Sequence, residues 1–257
     1  MKIIACIKQV PDSEAKVRAE SGQVNWGDAP LVINPFDEYA VEGALQQREA
    51  VSGSTVTALC IGPESAKEAL KHALAMGADD AILVSDPALN ELDTAGAARV
   101  LATAINKIGG VDMVIFGRQT LDSGSGLTAA QTARVLGWGM LGLAGQIKVQ
   151  DGSVTVERVI EEGRQSVKSK LPAVISVVQS IGEPRYPSFM GIRKASKANI
   201  PVWSLSDLGV SAPAPLITRT ELMNPPARET SVEIITGESP AEIAEKLADK
   251  LIAQKVL

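Results

Sequence analysis

The chain has 257 residues, 45% hydrophobic and 21% charged, with a formal net charge of −5. That length and balance allow a sizeable core and exclude a wholly disordered chain, while the acidic balance argues against a nucleic-acid partner. Aromatic residues are only 3%, too few for base-stacking platforms, and two cysteines with one histidine leave little material for a zinc site or a Ser-His-Asp triad. No apolar run is long enough to span a bilayer, and no basic run followed by an apolar one marks a leader. Cys6 and Cys60 end apolar strand-like runs and read as small buried thiols in a reducing compartment. The chemistry is therefore expected from a cofactor.

In chain order, Met1 to Ile7 reads as a first strand, and Pro11-Asp12 as a turn. A small hairpin is expected over Val17 to Val24 around Ser21-Gly22. A helix then opens at Asn34-Pro35 and runs to about Ala50. Asn34 is placed as its cap, Pro35 suits the first position, and Asp37 and Glu38 favour its positive end. Ser54 to Ile61 is a buried strand stopped by Gly62-Pro63, and Glu64 to Met76 a helix ended by Gly77. Ala81 to Val84 is a strand, Thr94 to Ile108 a helix, and Val111 to Phe116 a strand broken by Gly117. Four strand–helix alternations predict an α/β fold, a doubly wound and mostly parallel sheet in three layers. Ligands of such sheets gather at the carboxyl ends of the strands, here Lys8, Ile61-Gly62 and the stretch from Gly117 to Thr128.

That last stretch is the one the chain is organised around. Small residues, Ser123, Gly124, Ser125, Gly126 and Thr128, lead into a helix over Ala129 to Leu136. Strand, small-residue loop and helix start present free main-chain N–H groups and a positive helix end to a phosphate, and glycine lets the backbone approach it closely.

From Gly145 the pattern changes. Strands are expected at Gln146 to Val149, Ser153 to Ile160, Gln165 to Ser169 and Ala173 to Val177, added as antiparallel and edge strands. Pro184 to Lys197 reads as irregular and mildly basic, and residues 209–230 as an arm outside the domain. Ser239 caps a last amphipathic helix, with Pro240 first and Glu242 as the capping-box acid. The expected organisation is a nucleotide-binding domain over residues 1–208 and a C-terminal arm and helix over 209–257.

The chain resembles the beta subunit of electron transfer flavoproteins. The resemblance rests on A-C-I-K-Q-V-P-D (5–12), N-P-F-D-E-Y-A-V-E (34–42), A-L-A-M-G-A-D (73–79), F-G-R-Q-T-L-D (116–122), K-L-P-A-V-I-S-V (170–177) and G-E-P-R-Y-P-S-F-M-G-I-R-K-A (182–195). It implies an alpha–beta heterodimer carrying FAD, held mainly by the alpha subunit. Such a heterodimer takes electrons from acyl-CoA and related dehydrogenases and passes them to a quinone oxidoreductase. The expected location is the cytoplasm of a bacterium or archaeon, with the mitochondrial matrix as the alternative. No residue need act as acid, base or nucleophile.

The same resemblance implies AMP, a non-reacting nucleotide, in the crevice. Its contacts fall on Cys6, Asn34, Pro35, Phe36, Asp37 and Ile61. The remainder fall on the loop: Gly117, Arg118, Gln119, Thr120, Leu121, Asp122, Ser123, Gly124, Ser125, Gly126, Leu127 and Thr128. Asp122 is expected to order that loop, since a bare carboxylate repels phosphate, and Phe36 to serve the core rather than the flavin. The segment Glu183 to Lys197 resembles the loop with which the family grips dehydrogenases. Phe189 stands at its anchor position, usually leucine, and Arg185, Arg193 and Lys194 supply charge.

A second branch of the family bifurcates electrons and holds a second FAD in place of AMP. Its members tend to carry Asp-Gly-Asp-Thr-x-Gln-Val-Gly-Pro in the loop, and AMP-type members Asp-Asp-Asp-Cys-Asn-Gln-Thr-Gly-Gln. This chain matches neither; Thr128 favours AMP, and the missing Gly-Pro ending disfavours bifurcation. A nucleotide-hydrolysing enzyme and a nucleotide-binding stress protein are the readings from other classes. Against the first, the chain has no G-x-x-x-x-G-K-[ST] run, and the Ser-Gly-Ser-Gly stretch follows the fourth strand rather than the first. The second would not need the antiparallel strands, the basic segment and the long arm.

Overall fold

The computed structural model describes residues 1–90, 92–226 and 232–256. Residues 227–230 of the predicted arm lie outside the described residues. The chain opens with β1 (Lys2–Ile7), β2 (Gln9–Pro11), the hairpin β3 (Arg18–Glu20) and β4 (Gln23–Asn25), and β5 (Leu31–Ile33). Then come α1 (Pro35–Ala50), β6 (Thr55–Ile61), α2 (Lys67–Met76), β7 (Asp80–Val84), α3 (Thr94–Ile108), β8 (Met113–Gly117) and α4 (Thr128–Leu136). The remainder is β9 (Gly139–Gln150), β10 (Ser153–Ile160), β11 (Gly163–Lys170), β12 (Ala173–Val177), α5 (Phe189–Ser196), β13 (Val202–Trp203), α6 (Leu205–Leu208) and α7 (Pro240–Ala253).

Nine strands form one sheet in the order β11-β10-β9-β12-β8-β1-β6-β7-β13. The six strands from β12 to β13 in that order run parallel to their neighbours, the architecture that strand–helix alternation predicts. Alternate residues of the central strands feed opposite layers. Ile3, Ala5 and Ile7 of β1 join one core with Val41, Leu45, Leu70 and Ala195 from α1, α2 and α5. Ile4 and Cys6 join the other with Val100, Ile105, Ala133 and Leu205 from α3, α4 and α6. Covered on both faces, these strands must be apolar throughout, so they read as unbroken hydrophobic runs.

Three local expectations are corrected. The strand at Gln146 starts earlier, at Gly139, because its first half pairs in parallel with β12 and only its second half pairs antiparallel with β10. The change of partner comes at Leu143 and Ala144, where Leu143 takes a left-handed φ of 60°. β12 is not an edge strand; it sits between β9 and β8, and all five of its residues are buried. The supposedly irregular 184–197 stretch contains α5, capped by Ser188, whose hydroxyl accepts from Gly191 N at 2.9 Å. Gly191 lets that helix lie against α2, for a Cβ there would stand 2.3 Å from the Ala75 carbonyl oxygen.

The chain divides into two compact units, Met1–Glu221 and Leu222–Leu257. In the first, the Asp93 carboxylate caps α3 through Gly96 N and also accepts from Leu216 N and Ile217 N. In the second, Ser239 caps α7 as expected, but the Glu242 carboxylate reaches one residue further back than a capping box, to Glu238 N at 2.8 Å. No residue of α7 is buried.

Candidate functional site

From β1 the chain steps to β6 on one side and later returns to β8 on the other, so the winding reverses at β1. The carboxyl ends of strands at such a point leave an open crevice. One of about 220 Å³ is found there. Cys6, Ile61 and Phe116 supply apolar wall from the strands, with Leu89 and Leu101 from the segment after β7 and from α3. Asp37, Lys8 and the loop after β8 supply the polar wall.

The loop is built from its base upward. Gly117 ends β8 against the start of α1; a Cβ on it would lie 2.4 Å from the Phe36 carbonyl oxygen and 2.6 Å from Asp37 Oδ1. Asn34 occupies the capping position of α1, but its side chain does not cap the helix. It donates to the Gln119 carbonyl at 2.9 Å and accepts from Leu121 N at 3.1 Å, pinning the loop at two points. Thr120 and Ser123 share a hydroxyl hydrogen bond at 2.8 Å, and Gly124 N donates to the Thr120 carbonyl at 2.8 Å. Gly124 and Gly126 take left-handed φ values of 64° and 63°, which side chains resist. Among the described residues, no hydrogen bond engages the N–H groups of Ser125, Gly126 and Leu127. They lie directly before α4, where the helix's own first N–H groups are also free.

Asp37 is buried beneath this loop and accepts from Lys8 N at 2.9 Å. Burial pushes its carboxyl up from 3.8 to about 7, against hydrogen bonds from Asn34, Lys8 and Gly117 that lower it. Burial, helped by the Asp37 charge, also holds the Cys6 thiol well above its usual range. Cys60, buried as well, is pushed up to about 12. Both cysteines are free, and burial disfavours the reactive thiolate at each.

Of the expected nucleotide contacts, Cys6, Asp37 and Ile61 line the crevice, as do Gly117, Arg118, Gln119, Thr120, Ser123, Ser125, Gly126 and Thr128. Asn34, Pro35, Phe36, Leu121, Asp122, Gly124 and Leu127 do not. Phe36, expected in the core, belongs to neither core cluster and is half-buried, while its carbonyl stands against Gly117. Lys8, expected at this crevice as a strand end, does line it, and so do Leu89, Leu92, Thr94, Ala97 and Leu101, which were not singled out. Extending the strand-end rule to the segment after β7 finds Leu89 and Leu92.

The residues expected at a partner lie elsewhere. Phe189 is 80% exposed, so it is not buried under a surface loop, and Tyr186, Met190 and Ile192 beside it are also exposed. Arg193 and Lys194 are exposed on α5. Arg185 is engaged within the chain: Nε and Nη2 grip the buried Glu42 carboxylate at 2.8 and 3.0 Å, and Nη1 reaches Glu49 at 2.6 Å. Burial alone would raise the Glu42 pKa, but the hydrogen bonds from Arg185 and Gln46 outweigh it and hold the carboxyl below its usual range.

The electron transfer flavoprotein domain family matches residues 24–208, well over half of the chain. The chain belongs to this family, as a beta subunit. Beta subunits of electron transfer flavoproteins from Megasphaera elsdenii and Mycobacterium leprae are 33% and 36% identical to it, over 100% and 99% of both chains respectively. The caffeyl-CoA reductase-Etf complex subunit CarD of Acetobacterium woodii is 34% identical over the full length of both. Among the described residues of this beta subunit, no cluster of three or more His, Cys, Asp or Glu side chains could hold a metal ion. None of its described helices is long and apolar enough to cross a membrane.

Proposed function

We propose that the crevice holds AMP as a structural ligand, in the beta half of an alpha–beta heterodimer that conducts electrons. The observation that carries this reading is the set of free N–H groups at Ser125, Gly126 and Leu127 before α4, on an open loop that no side chain fills. Gly124 has nothing within 4 Å of where a Cβ would be. These amides, the start of α4 and the Arg118 guanidinium would hold the phosphate, and Ile61, Leu89, Leu101 and Phe116 would face the base.

FAD, bound mainly by the alpha subunit, would supply the redox chemistry. This chain would contribute placement and partner choice. Phe189, with the exposed Tyr186, Met190 and Ile192 and the charges of Arg193 and Lys194, suits docking to an acyl-CoA-type dehydrogenase. A quinone oxidoreductase is the proposed acceptor, and the bacterial cytoplasm the proposed location. The relative whose name places it in a caffeyl-CoA reductase complex supports a partner that acts on a CoA ester. The exposed Leu247 and Ile252 of α7 suit cover by the alpha subunit.

Mass spectrometry of nucleotides released from the denatured heterodimer tests the reading. One AMP and one FAD per heterodimer are expected. Two FAD and no AMP would put the chain in the bifurcating branch, and no adenine nucleotide beyond one FAD would overturn the crevice assignment.

A further inference from the structure

Lys8 follows β1 on the crevice wall, where a cation invites a role as phosphate ligand. Its ammonium is turned elsewhere, 2.5 Å from Asp122 Oδ2 in the loop. The other oxygen of that carboxylate, Oδ1, is buried with no hydrogen-bond partner among the described residues. The backbone of Lys8 is fixed on both sides, its N–H donating to Asp37 and its carbonyl accepting from Asn34 N at 2.8 Å. Asn34 in turn grips Gln119 and Leu121. The first half of the loop is thus tied at 119, 121 and 122 to one point of the scaffold, while residues 125–127 carry the free N–H groups. Arg118 makes no ion pair among the described residues and is exposed at the same crevice.

We infer that Lys8 is a positioning residue: its ion pair with Asp122 latches the loop so that the amides of Ser125 to Leu127 stand preformed for an anionic group, whose charge falls to them and to Arg118. The identity of that anion rests on the adenylate reading above; the latch does not. A half-exposed ion pair alone contributes little. Losing Lys8, however, strands a carboxylate that is partly out of water, whereas losing the charge of Asp122 leaves only a solvated lysine. The two partners are therefore unequal, and that inequality separates a latch from a ligand.

The test is calorimetric titration of AMP into the nucleotide-stripped full-length chain, together with amide hydrogen exchange over residues 119–124 in the absence of nucleotide. Lys8→Met should weaken AMP binding about tenfold and Asp122→Asn about threefold. The double variant should recover to the level of Asp122→Asn, because a neutral amide needs no cation. Exchange should quicken in Lys8→Met and slow again in the double variant. If Lys8 is a phosphate ligand instead, Asp122→Asn binds AMP more tightly and the double variant no better than Lys8→Met; either result overturns the latch. Unchanged exchange in Lys8→Met also overturns it, whatever AMP does. A wild-type chain that ignores AMP while its exchange responds as described would remove the adenylate reading and leave the latch standing.

Discussion

The glycine loop and the segment around α5 solve one problem in opposite senses. Each is an exposed edge that must hold its shape, and each is fastened at its base by a carboxylate and a cation. In the loop the acid, Asp122, is on the loop itself and the cation, Lys8, on the scaffold. Around α5 the cation, Arg185, is on the segment and the acid, Glu42, on α1. The second fastening is the stronger, for Arg185 is bidentate on a carboxylate that is itself buried and also receives Gln46. The first is a single contact. A segment meant to keep a rigid face can carry the heavier clamp, and a loop meant to admit a ligand the lighter one.

The largest expected effect lies under the loop. Asp37 ionises near 7 in the folded chain against 3.8, so between those values the folded state holds the extra proton. Stability from this group is present below pH 3.8 and is lost as pH rises towards 7, by about 1.4 kcal/mol per pH unit at its steepest. Urea midpoints measured from pH 4 to 8 should show Asp37→Asn gaining on wild type across that interval. Parallel profiles would mean that Asp37 is ionised throughout.

Gly117→Ala should follow, costing about 3 kcal/mol in urea unfolding, since its Cβ would meet the backbone of Phe36. A loss under 1 kcal/mol would show that the loop's base gives way easily. Arg185→Ala should cost about 2 kcal/mol, below the full penalty for a buried pair because Arg185 is one-third exposed. If it costs nothing, the contrast between heavy and light fastening fails. The smallest stability effect belongs to Phe189→Ala, less than about 0.5 kcal/mol at so exposed a site. The same variant should slow electron transfer from the proposed dehydrogenase partner; unchanged transfer would remove Phe189 as anchor.

Sequence alone carried the main alternation of the doubly wound half because its longer strands and helices announce themselves, whereas the short β2, β5, β13 and α6 were not expected. The α3 bounds, Thr94–Ile108, are those expected, and Asp93 before them is an ordinary cap. The parallel strands are apolar throughout because both faces are covered. What was hidden depends on contacts distant in sequence. That β12 is central follows from its pairing with Met113 to Gly117, which five apolar residues cannot reveal. α5 is short and rests on α2 through Gly191, so its helical pattern is brief. At the site, the loop's glycines and serines were legible from composition and position. The function of the Asn34 side chain was not: a residue before Pro35 reads as a cap, and only the fold brings Gln119 and Leu121 within its reach.

One consequence of the bent strand β9 reaches beyond the site. Because its halves serve two different ladders, deleting a residue between Gly139 and Leu143 would turn the inward side chains of one half outward while the other half stayed in register. The hairpin tip at Asp151-Gly152, where both residues take left-handed backbone and are exposed, bears no such constraint. An affinity tag or fluorescent label could be spliced in at that tip, far along the sheet from the winding reversal, to follow assembly without touching either fastening.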